Sequence, residues 1–151
     1  MIREASPTTH TARSLTMQFY VLGSPAPQGS KCHVGRGIMV ESSKALKPWR
    51  VAVAWATREA MRDQPPFDGP ISLFLHFNLT PPTTASRKKL ALGPCRKPDL
   101  DKLVRSTMDG LTDGGLWTDD ARVVAITATK RYCDEAEPAP GVLVEINEAR
   151  G

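Results

Sequence analysis

Cysteine is scarce and poorly placed for bridging. Cys32, Cys95 and Cys133 are odd in number, far apart and in no C-x-x-C pair, which excludes a disulfide framework and a zinc ribbon as the basis of the fold. A reducing cytoplasm is the expected compartment. No apolar run approaches the ~18 residues of a membrane span. Residues 1–16 lack the apolar stretch of a secretory signal. They read as a loose tail before a single domain over 17–151, with Met17 an alternative start. Neither G-x-x-x-x-G-K-[ST] nor G-x-G-x-x-G occurs, so no nucleotide cofactor is expected. His10, His33 and His76 are isolated, and His76 reads as a strand-face residue rather than a metal ligand. No internal repeat stands out.

What is present is an ordinary globular composition. Of 151 residues, 40% are apolar and 24% charged, and a chain of this size buries roughly 70% of its unfolded surface. Thirteen prolines exceed the average share of about 5% and cluster in connectors. Twenty basic residues against sixteen acidic ones leave +4, a mild excess that suits an anionic partner.

The pattern is mixed. Met17–Leu22 reads as a strand that stops at the breakers of residues 23–29, and a hairpin is expected around Cys32 to Val40. A helix is expected from Pro48 to about Arg62, ended by Pro65-Pro66. Ile71, Leu73, Leu75 and Phe77 alternate with polar and aromatic neighbours as a strand does. A long connector runs from Thr80 to Pro98. Leu100, Leu103, Val104, Met108 and Leu111 form one helical stripe, and Gly114-Gly115 should supply its left-handed C-cap. Two strands follow, one from Val123 to about Lys130 and one around Val142 to Ile146. The expected class is α/β or α+β: a small mixed sheet packed with two main helices.

The charge map sets an acidic constellation beside a basic run. Asp99 and Asp101 open the strong helix, Asp109 and Asp113 lie further along it, and Asp119-Asp120 follow Trp117. Each has a mundane explanation: an N-cap aspartate is worth ~1 kcal/mol without any function, and a first-turn carboxylate complements the helix dipole. Together they are harder to dismiss. Clustered carboxylates repel one another unless a cation neutralises them. Oxygen donors without imidazole or thiolate select Mg2+ or Mn2+. Upstream, Arg87, Lys88, Lys89, Arg96 and Lys97 carry no acid among them and would receive a polyanion. The D-L-D opening also suggests a haloacid-dehalogenase phosphatase, but the polar, broken stretch at residues 93–98 is not the apolar strand that chemistry needs.

The segments KPDLDKLVRSTMDGL (97–111) and LWTDDARVV (116–124), with Lys130 beyond them, closely resemble the RusA family of Holliday-junction resolvases. The breaker loop at 23–29, Trp49 in a helix and Gly69-Pro70 before a strand fit the same pattern, so that the resemblance runs from about Met17 to Ile146. The resemblance implies a small α/β homodimer that cuts four-way junction DNA by Mg2+-dependent hydrolysis in recombination and repair. It implies metal ligation by Asp99, Asp101 and Asp120, with Asp119 the other half of the doublet. The family's lysine four residues after the second acid is replaced by Arg105, which keeps the charge but cannot donate a proton. Arg105 and Lys130 would neutralise charge on the phosphoryl oxygens. Lys31, Arg87, Lys88, Lys89 and Lys97 would hold backbone phosphates. The alternative is a junction- or duplex-binding protein of the same fold without catalysis.

Overall fold

The computed structural model describes residues 16–29, 31–33, 39–41, 44–84 and 86–148. The expected N-terminal tail lies outside the described residues except for Thr16, whose backbone N–H donates to the Ile146 carbonyl at 2.9 Å. The elements are β1 (Met17–Leu22), β2 (Lys31–His33), β3 (Met39–Glu41), α1 (Leu46–Met61), β4 (Ile71–Leu79), α2 (Arg87–Ala91), α3 (Leu100–Asp113), a 3-10 turn (Asp120–Arg122), β5 (Val123–Tyr132) and β6 (Gly141–Glu148).

One sheet has four strands in the order β1-β6-β4-β5, and β2 with β3 forms a separate hairpin. β6 runs antiparallel to β1 and to β4, whereas β5 runs parallel to β4. A parallel pair needs a long crossover, and the segment holding α2 and α3 supplies it. The fold is therefore α+β with a mixed sheet, as the alternation of strand and helix patterns leads one to expect.

The core lies between the sheet and helices α1 and α3. Ile71, Leu73, Leu75 and Phe77 of β4 are wholly buried, as are Val142, Val144 and Ile146 of β6 and Leu103 and Leu111 of α3. The seam between α1 and α3 is close. A Cβ on Gly110 would stand 2.7 Å from Val53 Cβ, and one on Gly114 would stand 2.5 Å from Thr57 Cβ. Trp49 Nε1 donates to Thr107 Oγ1 at 3.2 Å across this buried seam. Ser106 Oγ donates to the Ala26 carbonyl at 2.6 Å and ties the breaker loop to α3.

The structure adjusts three expectations. α1 begins at Leu46, two residues ahead of Pro48, because Pro48 is tolerated in a first turn where the N–H has no helical partner. The connector from Thr80 to Pro98 contains α2, capped by Ser86 Oγ accepting from the Lys89 N–H. At the end of α3, Gly114 stays right-handed at φ −80, and Gly115 takes the positive φ of +82.

Candidate active site

Two chain segments carry the acids. The first is the start of α3. Asp99 occupies the N-cap position with extended backbone, yet its carboxylate makes no capping hydrogen bond. It lies 3.7 Å from Lys102 Nζ, so helix capping does not use up its oxygens. Asp101 is exposed in the first turn, Arg105 is exposed one turn later, and Asp109 is half-buried one turn beyond that. The i, i+4 spacing puts these three along one edge of the helix. Arg105 makes no ion pair or hydrogen bond among the described residues.

A strap holds this segment from behind. Lys130 Nζ on β5 donates to the Arg96 and Pro98 carbonyls, each at 2.8 Å. An ammonium has three donors, so one remains for another oxygen. The Gln28 N–H donates to the Lys102 carbonyl at 3.1 Å from the other side. The side-chain oxygen of Gln28 is buried without a partner among the described residues. Pro27, Lys97, Asp99 and Lys102 line a hollow of about 270 Å3 at this helix start.

The second segment is the turn after α3. Trp117 is 2% exposed, and its Nε1 donates to Thr112 Oγ1 at 2.8 Å. This is core packing that anchors the turn, not a stacking platform. The turn is tied to the lead-in of β4: the Phe67 N–H donates to the Leu116 carbonyl at 2.9 Å, and the Thr118 N–H to the Phe67 carbonyl at 3.0 Å. Asp68 Oδ1 accepts from Thr118 Oγ1 at 2.9 Å and from Arg122 Nε and Nη2 at 3.1 and 2.9 Å. These hydrogen bonds, with the Arg122 charge, hold the Asp68 carboxyl below the usual carboxylate range.

Within the turn the two acids differ. Asp119 Oδ1 accepts from the Ala121 N–H at 2.8 Å, and that bond, followed by one with the Asp120 carboxyl, pushes its titration down. Asp120 is pushed up, first by the hydrogen bond with Asp119, then by partial burial and the charges of Asp119 and Asp109. Asp119 is thus committed to capping, and Asp120 is the acid that resists ionisation.

The structure therefore brings Asp109, Asp119 and Asp120 into electrostatic contact. Asp109 was part of the sequence pattern but not of the expected ligand set. Its relevance comes from the turn folding back against α3, which spacing alone does not reveal. Among the described residues, no three carboxylate, imidazole or thiolate groups are drawn together tightly enough to enclose one ion, so Asp99, Asp101 and Asp120 do not form a closed ligand ring. Arg87, Lys88 and Lys89 are exposed on α2, as is Lys97 in the following loop. Lys89 shares a hollow of about 240 Å3 with Arg96 and Tyr132. Lys31 lies in β2, and its side chain falls outside the described residues. Cys95 and Cys133 are free thiols. No helix of the described residues is long and apolar enough to cross a membrane.

α3 and the turn after it thus present oxygen acids with cations nearby, donors of the kind a metal-assisted hydrolase uses. The family model described as Endodeoxyribonuclease RusA matches residues 23–147, and the chain belongs to that family. No curated protein matches the chain.

Proposed function

We propose that this protein is a structure-selective endodeoxyribonuclease that resolves four-way DNA junctions by phosphodiester hydrolysis, serving recombination and repair. The family match across residues 23–147 carries this reading, because the acid-bearing helix start, the acidic turn and Lys130 all fall within it. Asp99, Asp101 and Asp120 would hold Mg2+ or Mn2+, with Asp109 adding negative charge beside Asp120. Their all-oxygen chemistry suits such an ion, and the charges of Asp119 and Asp109, which add to the hydrogen bond and desolvation that raise Asp120, are a repulsion a cation would relieve. The three acids do not stand together as a ready-made ring among the described residues, so binding would have to draw them together. When bound, the ion supplies an acidified water and polarises a phosphoryl oxygen.

The chain's own residues do the rest. Arg105 is always charged and presents a fork of donors to phosphoryl oxygens, but it cannot exchange a proton at working pH. It therefore stabilises charge without acting as a general acid. Lys130 positions the Asp99 end of the helix through the Arg96 and Pro98 carbonyls and has one donor left for a phosphate. Arg87, Lys88, Lys89 and Lys97, with Lys31, would hold backbone phosphates away from the cut. Two symmetric nicks across a junction call for two sites, which a homodimer of two-fold symmetry provides.

The deciding experiment uses purified protein with synthetic four-way, forked and duplex DNA, with and without Mg2+. Asp101→Asn should lower junction cutting at least about 100-fold, in line with the loss of a group that acts on transition-state charge. Junction binding should persist or tighten, since a repulsive charge is gone. A parent protein that binds four-way DNA but cuts nothing in Mg2+ or Mn2+ is a binding module instead, the reading that Arg105 in place of a lysine would favour.

A further inference from the structure

A sizeable hollow of the described molecule is not at the acids. It lies along α1, has a volume of about 870 Å3 and is lined by Lys44, Lys47, Arg50, Val51 and Arg58, with Asp113 the one acid in its wall. Asp113 is already paired, its Oδ2 lying 2.9 Å from Arg50 Nη2, so the groove keeps a strong positive excess. None of these cations belongs to the basic run between Arg87 and Lys97.

The spacing is regular. Lys47, Val51, Ala54 and Arg58 follow steps of four, three and four residues, so they form one stripe on the face of α1, and Lys44 stands in the turn just ahead of it. Lys47 to Arg58 is 11 positions, about 16 Å at 1.5 Å per residue. Val51 is 59% exposed, which gives the lysine and arginine stems an apolar floor while their charges stay in water. A stripe of that length, carrying charge of one sign, matches a phosphate backbone. At about 3.4 Å per base pair it covers roughly five base pairs.

We infer that this groove is a second DNA-binding surface, seating the phosphate backbone of a duplex arm away from the point of cutting. The inference rests on the nuclease reading above. Asp113 closes the C-terminal end of α3, and Asp101 stands in its first turn. Along the helix the groove's Asp113 end is thus about 18 Å from Asp101, and one turn, about 6 Å, from Asp109. It contributes affinity and arm orientation without touching the reacting phosphate.

The test is the double variant Lys44→Gln with Lys47→Gln. Both lysines are exposed and make no hydrogen bond or ion pair among the described residues. Arg50 and Arg58 are left alone because both bond to Asp113. Binding to a four-way junction is titrated from 50 to 200 mM salt, with a melting curve as the check on folding. The slope of log K against log salt should fall by about 0.9 for each phosphate that is no longer neutralised, up to about 1.8, with single-turnover cutting at saturating junction unchanged. A folded double variant that keeps the parental slope overturns the groove and leaves the nuclease reading standing, provided the parent binds and cuts. If the slope is unchanged and the sedimentation mass drops, the groove is an interface between copies, and the DNA assignment is likewise overturned. A parent that neither binds nor cuts junction DNA sinks the nuclease reading first and this inference with it.

Discussion

The helix start and the acidic turn present chemically similar carboxylates but are held by opposite means. The helix segment is fixed through buried contacts distant in sequence. Leu103, Ser106 and Thr107 are wholly inaccessible, Gly110 and Gly114 press against α1, and the strap from Lys130 closes the open end. The turn has two deep anchors, Leu116 and Trp117, and beyond them is held by backbone bonds to Phe67 and exposed polar bonds converging on Asp68. Surface bonds of that kind are worth little to stability yet can still fix direction. The helix segment should therefore be costly to disturb thermodynamically, while the turn should be cheap to disturb and expensive only in activity.

The largest effects should fall on the helix side. Leu103→Ala removes a fully buried side chain and should cost about 2–5 kcal/mol in urea unfolding. Gly110→Ala drives a methyl against Val53, whose Cβ is 2.7 Å away. It should cost about 1–3 kcal/mol from overpacking, partly offset by up to about 1 kcal/mol of helix propensity. A Leu103→Ala loss under about 1 kcal/mol would break the contrast, because the helix would then owe its place to something other than the core.

Lys130 lies between the two regimes, half-buried and bonded to two carbonyls. Hydrogen bonds from a charged group are worth about 1.5–3 kcal/mol when well sequestered, so Lys130→Met should cost about 1–2 kcal/mol. Its effect on chemistry should be larger: a shift of about 1 Å in a reacting group can cost on the order of 100-fold. Junction cutting should fall roughly 10- to 100-fold, and the Mg2+ midpoint should move upward as Asp99 loses its fixed position. Lys130→Arg should recover part of both. A Met variant with parental rate and parental Mg2+ midpoint would show that the strap serves folding alone.

The two segments also differ in how far the sequence betrays them. The stripe from Leu100 to Leu111 and the alternation of Ile71 to Phe77 reflect burial on one face, and burial leaves a period in the sequence. The helix, the central strand and the α+β class were accordingly legible. The capping of the 3-10 turn by Asp119 was not legible, since either aspartate of the doublet could cap it. The five-residue α2 spans too few turns to show a period. The Lys130 strap ends on backbone carbonyls, which every residue has, and so leaves no mark in composition. Asp109 was visible but unassigned: its proximity to Asp120 depends on how the turn folds back against α3, a contact made by tertiary structure. The stripe from Lys47 to Arg58 stands at helical spacing in the sequence, but its cations alternate with Val51 and Ala54 and so read as no more than the solvated edge of α1.

The smallest effects sharpen the contrast best, because Asp120 in the turn and Asp68, which ties the turn to the lead-in of β4, should respond to pH with opposite sign. Asp68 titrates below its ordinary value through its bonds to Thr118 and Arg122. Its contribution is present above the ordinary carboxylate value and is lost as pH falls through the lowered one. Asp120 titrates above its ordinary value. Its folded-state advantage is present at pH below the ordinary value and is lost as pH rises through the raised one, so at neutral pH it is a source of repulsion. In metal-free buffer, Asp68→Asn should therefore melt slightly below the parent at pH 7, and the gap should close in acid. Asp120→Asn should melt slightly above the parent at pH 7, and that gap should close in acid too. Adding Mg2+ should raise the parent's melting temperature more than that of Asp120→Asn, since an ion that binds only the folded state stabilises it by mass action. If Asp120→Asn melts lower than the parent at neutral pH without metal, the turn carries no stored repulsion, and the case for Asp120 as an ion's ligand loses its physical support.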